Sequence, residues 1–290
     1  MSSSIVKNSD IMDAISPITR QEQRVRERMS SIRYKIAVLS GKGGVGKSTI
    51  TANLALSFKD WGIGVVDADI NGSSIPKLLG IREKAAEITS EGVLPVIGHE
   101  GIKIISMDFL IKDNSPVLGS GSSDSEFVWF GGMERSAMME FLSDVLWGEL
   151  DLLLFDLSPG VDQIYNIKGL LPELDGVIVV TTPSDLSIIV VERTMTLLGN
   201  LNIPIIGLIE NMCGLICPDC GGYINHSYAG EHLAERCRIP YLGKIPYLSE
   251  IAQSADQGMP YVINKKNSRW TATFSYMGER IKRELMQREN

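Results

Sequence analysis

Three sets of residues in this chain have the types and spacing to do chemistry. The first is Gly41-Lys42-Gly43-Gly44-Val45-Gly46-Lys47-Ser48-Thr49, which fits the phosphate-binding pattern G-x-x-x-x-G-K-[ST] without a mismatch. Glycines let backbone N–H groups curl around phosphate oxygens, and a helix that begins beside them adds its dipole. Lys47 reaches the terminal phosphates, and the Ser48 hydroxyl can ligate Mg2+. The second set is acidic: Asp67 and Asp69 follow the apolar run Ile63 to Val66, and Asp156 closes the run Leu152 to Phe155. Carboxylates at the C-terminal ends of strands face the crevice where open α/β sheets bind ligands. Asp67 and Asp156 can there hold Mg2+ through water, and Asp69 can orient an attacking water. The third set is Cys217-Pro218-Asp219-Cys220-Gly221, a knuckle whose glycine allows a tight turn behind two thiolates.

A closed zinc site or a [4Fe–4S] cluster needs four ligands, and one chain offers one tight pair. Two copies facing across a dimer axis would offer four. Thiolates alone do not separate zinc from iron–sulfur, and a redox disulfide is the other reading of the pair. Cys213 and Cys237 read as core or incidental thiols, and His226 as a polar loop residue rather than a further ligand. Lys42 raises the same question of a second copy. The phosphate pattern does not require it, and Lys47 already fills the place beside its own phosphates. Lys42 is therefore either a solvated lysine or one that reaches a phosphate in a facing subunit.

The elements that must position these residues follow from apolar patterning. Ile36 to Leu39 reads as the strand before the glycine loop, and Ile50, Leu54 and Phe58 mark one stripe of the helix after it. Further strands are expected at Ile63 to Val66, Ile102 to Ser106, Leu152 to Asp156, Val177 to Val180, Ile205 to Ile209 and around Tyr241 to Tyr247. A helix is expected from Leu186 to Leu198. At the C-terminal end, Trp270, Phe274, Met277, Ile281 and Leu285 recur at helical spacing, which suits a helix docked on the domain; an interfacial helix on lipid is the alternative. Residues 1 to 30 read as a partly flexible appendage with a solvated charged helix, and residues 31 to 290 as a single domain. Residues 112 to 125, rich in Gly, Ser, Pro and Asp, suggest a mobile loop.

Composition narrows the classes. The chain has 290 residues, 44% of them hydrophobic, and a net charge of -7, which argues against a general nucleic-acid surface. No run approaches the ~18 to 20 apolar residues of a membrane span, so a membrane role is not expected. Met1-Ser2-Ser3-Ser4 lacks the pattern of a secretory signal, which points to the cytoplasm, and 4 cysteines there suit metal or redox ligation better than structural disulfides.

Gly41-Lys42-Gly43-Gly44-Val45-Gly46-Lys47-Ser48 resembles the deviant P-loop of the MinD/ParA/nitrogenase-iron-protein group. Asp67-Ala68-Asp69-Ile70-Asn71-Gly72-Ser73-Ser74-Ile75-Pro76 resembles a segment of the Mrp/ApbC-type ATPases, with Ser73 where that family usually has proline. Leu157-Ser158-Pro159-Gly160 resembles its L-P-P-G with Ser158 for a proline, and Val161-Asp162-Gln163 departs from its T-G-D. Val128-Trp129-Phe130-Gly131-Gly132-Met133 departs from its V-x-W-R-G-P-M at Phe130 and Gly132. With the cysteine knuckle and Tyr241 to Pro246, the likeness runs from about Tyr34 to Pro260.

The resemblance implies a doubly wound α/β fold, with a mostly parallel sheet of seven or eight strands between helices. It implies a homodimer that binds ATP and Mg2+, with Lys42 crossing the interface, Asn211 reading adenine, and Cys217 and Cys220 of both copies bridging a [4Fe–4S] cluster bound for apo iron–sulfur proteins. Open beside it stand a positioning ATPase of the MinD/ParA kind, a zinc-bridged regulatory dimer, and an adaptor that hydrolyses little.

Overall fold

The computed structural model describes residues 20–70, 72–110, 130–160, 163–217, 220, 222–224 and 229–289. Strand β1 (Ile32–Ser40) leads into helix α2 (Lys47–Ala55), and β2 (Ile63–Asp67) and the short α3 (Ile75–Leu78) follow. Before them, residues 20–30 form helix α1. A small hairpin of β3 (Glu87–Ile88) and β4 (Val93–Leu94) precedes β5 (Val96–Ile97) and β6 (Lys103–Ser106). Helix α4 (Phe130–Ser143), β7 (Leu150–Asp156), α5 (Gln163–Leu170), β8 (Gly176–Thr181) and α6 (Asp185–Asn200) come next. Then follow β9 (Ile205–Ile216), β10 (Tyr223–Ile224), α7 (Ala229–Cys237), β11 (Tyr241–Tyr247), α8 (Ser249–Asp256), α9 (Tyr261–Asn264) and α10 (Arg269–Arg288).

The main sheet runs in the order β10-β9-β8-β1-β7-β2-β6-β5, with β11 also on β9. Strands β11, β9, β8, β1, β7, β2 and β6 are parallel, while the short β5 and β10 pair antiparallel at its margins. This is the doubly wound, mostly parallel sheet expected. Its central strands are buried on both faces, which is why they read as continuous apolar runs. Alternation still sorts their side chains. Ile36, Val38, Leu152 and Leu154 enter one layer, with Leu54, Phe274 and Met277. Ala37, Leu39, Leu153 and Phe155 enter the other, with Phe141, Ile164 and Leu198. The strand order reverses at β1, and the phosphate loop leaves its C-terminal end at that reversal, where open sheets hold their ligands.

Two terminal segments close the core. The charged helix α1 turns one side inward, burying Val25 and Met29, while Arg24 meets Asp144 at 3.3 Å. Helix α10 spends its apolar face on the domain, with Phe274, Met277, Ile281 and Leu285 all buried. No helix among the described residues is long and apolar enough to cross a membrane. The expected loop at 112 to 125 lies outside the described residues. Because Phe274 is fully buried, Phe274→Ala is expected to lower stability by about 3–5 kcal/mol in urea denaturation. A loss below about 0.5 kcal/mol, the usual range for a surface change, would mean that the helix is not docked this way in solution.

Candidate functional site

The glycine loop is shaped for an anion. Gly44 and Gly46 adopt φ of 78° and 80°, conformations that side chains disfavour. Helix α2 starts at Lys47 with no side chain capping its N-terminus. Its first N–H groups and its dipole are thus available to phosphate oxygens. The loop is braced from the side by Asn211, whose Nδ2 donates to Val45 O at 2.8 Å. A Cβ on Gly46 would run into that amide. Asn211, expected at an adenine, thus lies against the phosphate loop. The next residue, Met212, is held at φ 57°, a strained conformation for a side chain of this size.

Below the loop sits a buried charge cluster. Lys47 Nζ lies 2.7 Å from Asp156 Oδ1, with the two side chains 6% and 0% exposed. The same ammonium donates to Ser48 Oγ at 3.3 Å, and Thr51 Oγ1 donates to Asp156 Oδ1 at 2.8 Å. Parallel register places Asp67 directly opposite Asp156 at the ends of β2 and β7. Asp67 Oδ2 accepts from Ser73 Oγ at 2.8 Å, from Ser106 Oγ at 3.3 Å, and from the N–H groups of Ser74 and Ile75 at 3.2 Å. The structure therefore brings Lys47, Ser48, Asp67 and Asp156 together.

Two oxygens in this cluster, Asp67 Oδ1 and Asp156 Oδ2, are buried without a hydrogen-bond partner among the described residues. Orphaned buried carboxylate oxygens are costly, and a pair of them facing a phosphate site suits the water shell of a hard divalent cation. The donor set is all oxygen, as Mg2+ prefers. Burial first, and then the Asp156 charge, push the Asp67 carboxyl up to about 7, against the opposing bonds from Ser73 and Ile75 and the Lys47 charge.

Asp69 lies outside this buried group. It is half-buried, and its Oδ1 accepts from Ser158 Oγ and from Gly72 N, both at 3.1 Å. Lys42 is exposed and donates to Ser184 Oγ at 3.2 Å. Thr51, Ser73, Ser106 and Ser158 were not singled out for chemistry by sequence. Two of them, Ser73 and Ser158, did stand out as departures from the resembled family, and each bonds one of the paired aspartates. The side chains of Phe130 and Met133, with Asn71, Val128, Trp129, Val161 and Asp162, lie outside the description.

The thiol pair lies at the far end of β9. Cys217 N donates to Gly222 O at 2.8 Å, with Cys217 partly exposed and Cys220 exposed. All four cysteines are thiols, and Cys213 is buried in the sheet. Burial pushes the Cys237 thiol up. Among the described residues no group of three or more His, Cys, Asp or Glu could hold a metal; Asp219 and His226 lie outside them.

A central parallel sheet with a glycine loop at its switch point, a buried lysine and two facing aspartates defines a P-loop NTPase. The family model described as ParA, NUBPL iron-transfer P-loop NTPase, matches residues 31–282, and the chain belongs to that family. An iron-sulfur cluster carrier protein of Methanocaldococcus jannaschii is 40% identical over 252 residues, covering 85% of this chain and 83% of its own. A protein of Dictyostelium discoideum named cytosolic Fe-S cluster assembly factor NUBP2 homolog is 39% identical over 249 residues, covering 83% and 91%. Among solved structures, a nucleotide-binding protein from Archaeoglobus fulgidus in complex with ADP superposes with a TM-score of 0.71 at 32% identity, covering 87% of this chain and 96% of its own.

The raised Asp67 carboxyl sets a pH dependence. The folded state binds this proton more tightly than the unfolded chain does. The resulting stability is full below the ordinary carboxylate range and is lost as pH rises through about 7. Asp67→Asn cannot ionise, so its stability relative to wild type, without nucleotide or Mg2+, should rise by about 1–2 kcal/mol between about pH 5.5 and about pH 8. Urea denaturation at the two pH values measures this, and an unchanged difference would show that Asp67 does not titrate in that window.

Proposed function

We propose that this protein is an ATP-hydrolysing iron–sulfur cluster carrier of the cytoplasm. It works as a homodimer in which Cys217 and Cys220 of each copy hold a [4Fe–4S] cluster as cargo for apo-proteins. One observation carries the reading: β9 is a single strand that braces the phosphate loop through Asn211 and ends at Ile216, immediately before Cys217. Asn211 and Cys217 are joined by this one strand, so nucleotide and cargo sites are linked through a single continuous element. Family membership and the named functions of the relatives support the cargo.

Binding begins at the loop. N–H groups from Gly43 to Lys47 take up phosphate oxygens, and Lys47 turns from Asp156 to the terminal phosphates. Ser48, Asp67 and Asp156 hold the cation and its waters. Mg2+, when bound, neutralises charge that develops on the phosphate oxygens. Lys42 of the partner subunit adds a second positive charge to the transferring group. Asp69 accepts a hydrogen bond from the water that attacks the γ-phosphorus, and the bond to the β–γ bridging oxygen breaks, releasing ADP and phosphate. Asn211 keeps one N–H on Val45 O and offers adenine its Oδ1 and its second N–H.

Two experiments test this. In calorimetric titration Lys47→Ala should lose ATP binding by at least about a hundredfold, while Lys42→Ala should bind normally and hydrolyse about tenfold or more slowly. Unchanged ATP affinity in the first variant, or wild-type turnover in the second, would remove those roles. Protein reconstituted without oxygen should carry about four iron and four sulfide per dimer, with a broad band near roughly 400 nm. The double variant Cys217→Ala/Cys220→Ala should carry neither. Zinc alone after such reconstitution would remove the carrier function.

A further inference from the structure

The loop after Asp156 carries a hydroxyl that the phosphate-binding chemistry has not used. Ser158 is 8% exposed. Its Oγ donates to Asp69 Oδ1 at 3.1 Å, with Ala68 O at 3.5 Å as the only alternative acceptor within reach among the described residues. A carboxylate acceptor makes the first bond the stronger one. The loop that offers this hydroxyl is fixed to the strand before the phosphate loop. Leu157 N donates to Val38 O at 3.2 Å, and Gly160 N donates to Ser40 O at 3.0 Å. The backbone beside Asp69 is tied to the end of β7, from which that loop departs, since Ala68 N donates to Asp156 O at 3.0 Å.

Asp69 itself has fewer constraints than its neighbours. Its side chain is half-buried and is oriented by two donors to one oxygen, Ser158 Oγ and Gly72 N. Gly72 lies in the same short turn as Asp69, so its N–H moves with the carboxylate. Ser158 is the donor from a separate segment, the loop after β7. It ties the carboxylate to the frame formed by β1 and β7, the frame that also holds Lys47 and Asp156.

We propose that Ser158 is a positioning residue for hydrolysis: its hydroxyl fixes the Asp69 carboxylate relative to the phosphate loop and to Asp156. This rests on the hydrolytic reading of the site, in which Asp69 orients the attacking water. A carboxylate that loses this tether still permits nucleotide binding, because Lys47, the loop amides and the two buried aspartates are untouched. The loss appears in the chemical step, where small errors in placement are costly.

The test is steady-state ATP hydrolysis by the full-length chain, with ADP affinity in Mg2+ measured by calorimetry and Tm recorded for each variant. Ser158→Ala should lower kcat about fivefold to tenfold, with KM for ATP and the ADP affinity changed by less than about twofold. Ser158→Thr retains a hydroxyl and should keep at least about half of the wild-type kcat. In an Asp69→Asn background Ser158→Ala should cost nothing further, because the group it positions is already impaired. The proposal is overturned by an unchanged kcat in Ser158→Ala, by an equal additional loss in the Asp69→Asn background, or by a loss that Ser158→Thr does not spare. Wild-type protein that binds ATP without turnover would instead remove the hydrolytic reading itself, and this role with it.

Discussion

The structure depends on a charge problem at one point of the sheet. Parallel register sets Asp67 and Asp156 side by side, both almost completely buried, with one lysine between them and the loop. Two facing carboxylates and one ammonium do not cancel. The chain spreads the excess over Thr51, Ser73, Ser106 and two backbone N–H groups, and among the described residues still leaves two oxygens unmatched. Buried ionic groups of this kind are weak contributors to stability, and apolar replacements of equal volume often do better. A sheet selected for stability alone would not retain them. Their cost is recovered when a ligand binds the folded state and not the unfolded one. Folding and ligation are coupled through the same few atoms, and the rest of the sheet serves to hold those atoms in register.

Strand β9 shows how that point connects to the thiols. Its root is rigid. Glu210 is fully buried, accepts from Tyr241 Oη at 3.0 Å and from Gly230 N at 3.1 Å, and so fastens β9 to β11 and to the start of α7. Burial holds its carboxyl above the usual carboxylate range, where a proton is retained more readily. Beyond Glu210 the strand loses regularity. Met212 and Gly214 have φ of 57° and 95°, and pairing with β11 shifts register. The irregular stretch lies between the amide that braces the phosphate loop and the first knuckle thiol. A strained segment next to a well-anchored one is where a small movement at Asn211 can be taken up and passed on.

What was legible in the sequence follows from how local each signal is. The glycine loop, Lys47, Ser48 and Asp156 are local patterns with a strand before them or a helix after them, and the fold presents them in that arrangement. Helix α10 was legible from its stripe. The apolar run that marks strand β9 covers only Ile205 to Ile209; pairing with β10 and β11 carries the strand to Ile216. The two-residue strands β3 and β4 are too short for any period to register. The many charges of helix α1 mark it as solvated and obscure Val25 and Met29, whose spacing of four is itself a helical signal. Ser106 was out of reach for a different reason: it meets Asp67 across 39 residues, which only the parallel register brings about.

The three aspartates differ in depth, and the difference sorts their work. Asp156 and Asp67 are 0% and 1% exposed, while Asp69, two residues further on, is half-buried. Deep carboxylates are slow to exchange partners and strongly felt by a nearby cation, because little water screens them. They suit holding. A carboxylate at the mouth keeps access to water and costs less to leave charged, which suits orienting a water molecule. The strand end dictates this order. Asp67 is the last paired residue of β2, still inside the sheet, and the chain must leave the sheet before Asp69. Asp69 lies beyond the paired strand and is half-buried. One short acidic turn thus supplies two carboxylates with different environments, and the sheet edge, rather than any further residue, makes them different.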